Sequence, residues 1–142
     1  FGQKTGRGFY RYPDGARKGE RDPDTEALIT RLSEERGIVR RSFSNEEIIA
    51  RLMYPMVNEG AKILEEGIAA RSSDIDVVWV NGYNWPNFTG GPMHWAEGVG
   101  LSRIVEALET FAAETGDESL QPAPLLRRLA EGSGSFADKD AA

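Results

Sequence analysis

From Ser44 to Ile68 apolar residues recur every three to four positions: Ile49, Leu52, Met53, Met56, Val57, Gly60, Ile63, Leu64 and Ile68. That spacing collects them on one side of a helix and predicts a long helix with one continuous buried stripe, Leu52 and Leu64 included. Its start is legible in Phe43-Ser44-Asn45-Glu46-Glu47-Ile48. Ser44 and Glu47 have capping-box spacing, and Phe43 can pack on Ile48. Pro55 removes an amide donor from the helix interior, so a kink is expected near Arg51.

A shorter helix is expected after Asp22, with Pro23 in the first position, Leu28, Ile29 and Leu32 on one side and Gly37 as terminator. Leu101, Ile104, Val105, Leu108, Phe111 and Ala112 define another, which Gly116 can end in the left-handed conformation. A last one is expected from Pro122 to Gly132 through Leu125, Leu126 and Leu129, followed by a Gly-Ser-Gly-Ser tract and a mobile polar tail. Residues 75–80 remain open: Val77, Val78 and Val80 favour a strand, whereas Ser73 and Asp76 can cap a short helix. The stretch Gly82-Tyr83-Asn84-Trp85-Pro86-Asn87-Phe88-Thr89-Gly90-Gly91-Pro92 is too rich in breakers to be regular throughout. The glycine-rich opening, with Phe9, Tyr10 and Tyr12, favours turns.

Composition narrows the function classes. The 142 residues carry a net charge of -6. They show no basic face, which argues against nucleic acid, where clustered Lys and Arg dominate binding. The absence of cysteine removes disulfides and thiolate chemistry and fits a reducing compartment, read here as the cytoplasm. No apolar run approaches the roughly 20 residues of a membrane span. The chain opens at Phe1 inside a glycine-rich segment, which reads as a fragment of something longer.

Candidate chemistry is sparse. His94 has no second His or Cys with which to bind a metal and no nucleophile elbow to serve, so it is read as a packing or surface residue. Lys4-Thr5-Gly6 lacks the companions of a β-lactamase motif, and Gly2 to Gly8 has neither Walker nor dinucleotide spacing. Glu65 and Glu66 fall on the solvated side of the long helix, while Asn58 and Glu59 flank its apolar stripe, where they can bond loop backbone. Trp79, Trp85, Trp95, Tyr83 and Phe88 can close the core beneath the loop or line a groove. Arg36, Arg40 and Arg41 form a compact basic spot able to hold a phosphate.

Taken in order, Lys4-Thr5-Gly6-Arg7-Gly8-Phe9-Tyr10, Arg51-Leu52-Met53-Tyr54-Pro55-Met56-Val57-Asn58-Glu59-Gly60 and Asp74-Ile75-Asp76-Val77-Val78-Trp79 resemble the 3-hydroxyacyl-CoA dehydrogenase family. The likeness continues through Gly82-Tyr83-Asn84-Trp85-Pro86, Gly90-Gly91-Pro92-Met93, Gly100-Leu101 and Pro122-Ala123-Pro124-Leu125-Leu126. It points to the last helical domain of multifunctional fatty-oxidation enzymes. In that family a Rossmann domain binds NAD and supplies a His-Glu pair, and helical domains shape the acyl-CoA cleft and mediate association. The catalytic copy has an Asn immediately before the Arg of this helix, but Ala50 stands there, and a methyl group cannot hydrogen-bond.

The resemblance implies an all-α fold, a helical bundle similar to the 6-phosphogluconate dehydrogenase C-terminal-like domain. We expect about five to six helices around a kinked long central one. Residues 1–20 would end a preceding helical copy, 21–136 would form the C-terminal helical domain and 137–142 a mobile tail. The implied role is to buttress the acyl-CoA cleft and domain packing, with no catalytic, cofactor-binding or metal-binding residue of its own. NAD and the acyl-CoA substrate would belong to the intact enzyme. Tyr54, Asn58, Glu59, Tyr83 and Trp85 are the candidate interface or cleft residues. The expected partners are the Rossmann and sister helical domains, with a homodimer when the chain is isolated. The alternatives are a free-standing helical oligomerisation module and an acyl-CoA-binding protein that uses the aromatic loop and the three arginines.

Overall fold

The computed structural model describes residues 1–140. They form two compact units, Phe1–Ser42 and a second beginning at Phe43.

In the first unit, β1 (Tyr10–Arg11) pairs antiparallel with β2 (Glu20–Arg21), Tyr10 opposite Arg21, and α1 spans Pro23–Glu35. The start of α1 follows the sequence signal: Asp22 is the N-cap, Pro23 comes first, and Gly37 lies just beyond the end at φ 65°. Asp22 does more than cap. Its buried carboxylate accepts from Arg7 Nε at 2.7 Å, Arg11 Nε at 2.8 Å, Thr25 Oγ1 at 3.1 Å and the Asp24 amide at 3.3 Å. Burial pushes this carboxyl up, but the hydrogen bonds outweigh burial and hold it down at about 2. Polar bonds therefore order a unit whose α1 buries no residue, leaving Leu28, Ile29 and Leu32 exposed.

The second unit is all-α: α2 (Asn45–Glu65), α3 (Ser72–Gly82), α4 (Pro92–Val99), α5 (Leu101–Thr115), α6 (Pro124–Glu131) and α7 (Phe136–Asp140). Ser44 caps α2 as expected, its hydroxyl accepting from the Glu47 amide at 3.1 Å, while the Glu47 carboxylate reaches forward to Arg51 Nε at 3.0 Å. The helix runs through Pro55 as one element. It contacts α3, α4, α5 and α6, so the core gathers around it: Val57, Ala61 and Leu64 meet Met93, Ile104, Leu108 and Leu126. Gly116, at φ 70°, ends α5 as its sequence predicts.

Two expectations change, and the open reading of residues 75–80 resolves as helix. The stripe on α2 is not buried throughout: Leu64 is 4% exposed, but Leu52 is 60% exposed, and Ile49 and Ile68 also face outward. Helical periodicity identifies an apolar side without saying what covers it, and the inward side here adds Tyr54, Asn58 and Ala61. Residues 75–80 lie within α3, so the strand preference of the valines loses to tertiary context, with Val77 and Val78 on the outer surface. The chain after Gly132 does not run on as tail at once; it forms α7, and Phe136 is completely buried. Residues 141–142 of the expected tail lie outside the described residues.

Leu64→Ala is accordingly expected to cost about 2–5 kcal/mol, as buried large-to-small changes do. Leu52→Ala should stay within about 1 kcal/mol in the isolated chain, since it removes surface contacts only. Urea denaturation of both variants checks the pair; equal losses would contradict the orientation of α2.

Candidate functional site

Two buried polar side chains join the helices. Asn58, 1% exposed on α2, donates from Nδ2 to the Gln121 carbonyl at 2.9 Å and accepts at Oδ1 from the Ala123 amide at 2.7 Å. It holds the segment that leads into α6, the loop-backbone role open to it from its place beside the stripe. Glu59 instead points outward and pairs with Lys62 at 3.5 Å. Glu65 is not merely solvated: its carboxylate meets Arg128 at 2.9 Å and so ties the end of α2 to α6.

Asp76 does for α4 what Asn58 does for α6. From the middle of α3 its two carboxylate oxygens accept the first-turn amides of α4, Met93 at 2.7 Å and His94 at 3.1 Å. Burial raises its pKa from the usual carboxylate value, against the pull of those amide bonds. A side chain at Gly91, itself at φ 101°, would collide with the Asp76 carboxylate, so the Gly90-Gly91-Pro92 approach needs glycine there. His94 is exposed and lines a shallow groove with Ser73, Asn81 and Gly90. Among the described residues no group of three His, Asp or Glu is arranged to hold a metal ion.

The aromatic residues form one connected cluster. Trp79 stacks obliquely on Tyr83 at 4.9 Å and meets Trp85 edge-on at 6.0 Å; Trp85 meets Trp95 at 5.9 Å, and Trp95 lies 6.0 Å from Tyr54. Trp85, 6% exposed, donates from Nε1 to Thr89 Oγ1 at 2.6 Å, which folds the loop over the cluster. Asn84 makes the preceding turn in the left-handed region at φ 57°. Of the aromatic positions singled out from sequence, Tyr54 and Trp85 are therefore buried, Trp79 and Trp95 half-buried, and Tyr83 (67%) and Phe88 exposed.

Beside the cluster lies the feature that residue-by-residue reading missed. Leu52, Pro55, Met56, Ile63, Ile75 and Trp79 line a groove of about 420 Å³ between α2 and α3. It adjoins a second of about 510 Å³ that shares Ile63, Ile75 and Trp79 and adds Ile68, Val78 and Tyr83. The outward part of the α2 stripe thus continues onto α3 as one apolar face.

Arg51 is fully engaged in structure. It pairs with Glu47 at 3.0 Å and Glu114 at 2.5 Å and lies over the Phe111 ring at 4.3 Å. The preceding Ala50 packs partly buried against the core.

The family model for the 3-hydroxyacyl-CoA dehydrogenase C-terminal domain matches residues 48–139. The chain belongs to the 3-hydroxyacyl-CoA dehydrogenase family. Within it, this C-terminal domain is 42% identical over 131 residues to the peroxisomal bifunctional enzyme of Danio rerio, covering 91% of this chain and 18% of that protein. Its human counterpart is 41% identical over 133 residues, 92% of this chain and 18% of that protein. Among solved structures, the dehydrogenase part of multifunctional enzyme 1 from C. elegans superposes with a TM-score of 0.63 at 30% identity, over 90% of this chain and 29% of that one. The chain thus spans about a fifth of the bifunctional relatives. Among the described residues no helix of this dehydrogenase domain is long and apolar enough to cross a membrane.

Asn58→Ala would leave the Gln121 carbonyl and the Ala123 amide without their partner. The expected loss of stability is about 1–3 kcal/mol. A thermal melt within a degree of the parent chain would show that the α6 approach does not depend on this side chain.

Proposed function

We propose that this chain is a non-catalytic helical segment of an NAD-dependent 3-hydroxyacyl-CoA dehydrogenase working in fatty-acid β-oxidation within a multifunctional enzyme. It buttresses the acyl-CoA cleft and the packing of domains. The observation that carries this reading is the apolar face across α2 and α3, whose grooves are lined mainly by Leu52, Met56, Ile63, Ile68, Val78 and Trp79, with Glu59 and Asp74 at their edges each paired to a neighbouring base. Ala50 supports it, since the position from which the catalytic copy orients a reacting hydroxyl holds a methyl group packed against the core.

In the intact enzyme NAD would accept hydride from the 3-hydroxyacyl-CoA substrate, and a Rossmann domain would hold the cofactor. This segment would meet that domain and a sister helical copy. Among the candidate residues, Tyr83 and Glu59 face outward and would touch the neighbour or the cleft, while Tyr54, Asn58 and Trp85 shape the surface from beneath. Residues 1–20 would end the preceding copy and 21–136 form the domain. When isolated, the chain would cover its apolar face by forming a homodimer with two-fold symmetry. The compartment we propose is the cytoplasm, on the cysteine-free composition; the names of the relatives favour the peroxisome, and localisation of the tagged parent protein separates the two.

The isolated chain is expected to bind no NAD and to oxidise no 3-hydroxyacyl-CoA. Quenching of NADH fluorescence at micromolar protein, or turnover above the buffer rate, would overturn the non-catalytic reading.

A further inference from the structure

Between the two units runs a segment of a different character. Residues 38–44 belong to no helix or strand, and every residue from Arg36 to Ser44 is exposed. Both ends are anchored: the Ile38 amide donates to the Ser33 carbonyl at 2.8 Å behind α1, and Ser44 caps α2. In the middle stand Arg40 and Arg41, preceded by the β-branched pair Ile38 and Val39.

We propose that this strap is a cleavage site for an arginine-directed serine endoprotease, with Arg40–Arg41 as the scissile peptide bond. Such enzymes bind their substrate as an added strand, pairing with several consecutive extended residues on both sides of the bond. Here Ile38 to Phe43 offers six residues outside any helix, strand or turn, and Ile38 and Val39 favour the extended conformation. Water adds across the bond between the Arg40 carbonyl carbon and the Arg41 nitrogen, leaving a carboxylate on Arg40 and a new amino terminus on Arg41.

Several other basic positions are held in regular structure. Arg31 lies within α1, Arg51 and Lys62 lie within α2, and Arg11 and Arg21 are paired strand residues. Arg17 and Lys18 sit in the short connection closed by the β1–β2 pairing, which bends them away from a strand. Cleavage at the strap leaves the helical unit whole, because every residue of the buried core cluster lies at or beyond Tyr54.

Limited digestion of the full chain by trypsin, followed by intact mass, tests this. The earliest cut should fall after Arg40 or Arg41, and the C-terminal product should outlast the N-terminal one by about tenfold or more. Replacing both residues, R40Q with R41Q, should slow that cut by about tenfold or more while leaving the chain folded, since neither residue belongs to the core and exposed polar substitutions change stability little. First cuts after Arg17 or Lys18 or within α2 to α6 would overturn the proposal. So would persistence of the strap product in the double variant, or resistance of the chain where an unfolded control is digested.

Discussion

The second unit rests on a backbone problem solved by a side chain. A helix that starts with Gly-Gly-Pro has no capping side chain of its own, and the first-turn amides of α4 must find acceptors. Asp76 supplies both oxygens from inside α3. That one bond pair sets α4 against α3, requires glycine at position 91, and aims Met93 at Gly60 of α2, where any larger residue would strike its sulfur. Asn58 repeats the device at the entry to α6. The helices converge on α2 through apolar contact, but these two buried polar groups decide how the connections return to it.

The same division explains how much could be read from sequence. Starts and stops written locally were legible: Asp22-Pro23 opens α1, Ser44 opens α2 and Gly116 closes α5, because each signal lies within a few residues of its effect. Locally, Asp76 reads as a cap for a short helix of its own. Its partners lie 17 and 18 residues further on, beyond any local pattern. Val77 and Val78 show the converse, a local β preference set aside once α3 is held between neighbours. Phe136 is taken as the domain's last residue, but the Gly-Ser-Gly-Ser tract before it looks like an ending, and only its seat in the core shows that it starts a further helix.

The apolar face proposed for docking is legible as composition but not as orientation. Counting apolar positions on α2 gives more than one side of a helix can bury, although periodicity alone predicts them all in one buried stripe. The structure divides it: Val57, Ala61 and Leu64 turn inward, while Leu52, Met56 and Ile63 join Val78 and Tyr83 in the outer grooves. A helix apolar on two sides is the mark of an element meant to be covered twice, once by its own domain and once by a neighbour. The bifunctional relatives are several times the length that this chain matches.

The central claim is therefore that the α2–α3 face is the docking surface of this domain. Light scattering of the isolated chain at tens of micromolar, alongside Val78→Asp, tests it most directly. Val78 is exposed, so the variant should keep the parent's helical fold, while losing whatever melting temperature the parent gains from association. The account expects a dimer for the parent chain and a monomer for the variant. A monomeric parent chain, or a dimer indifferent to the charge, would contradict it.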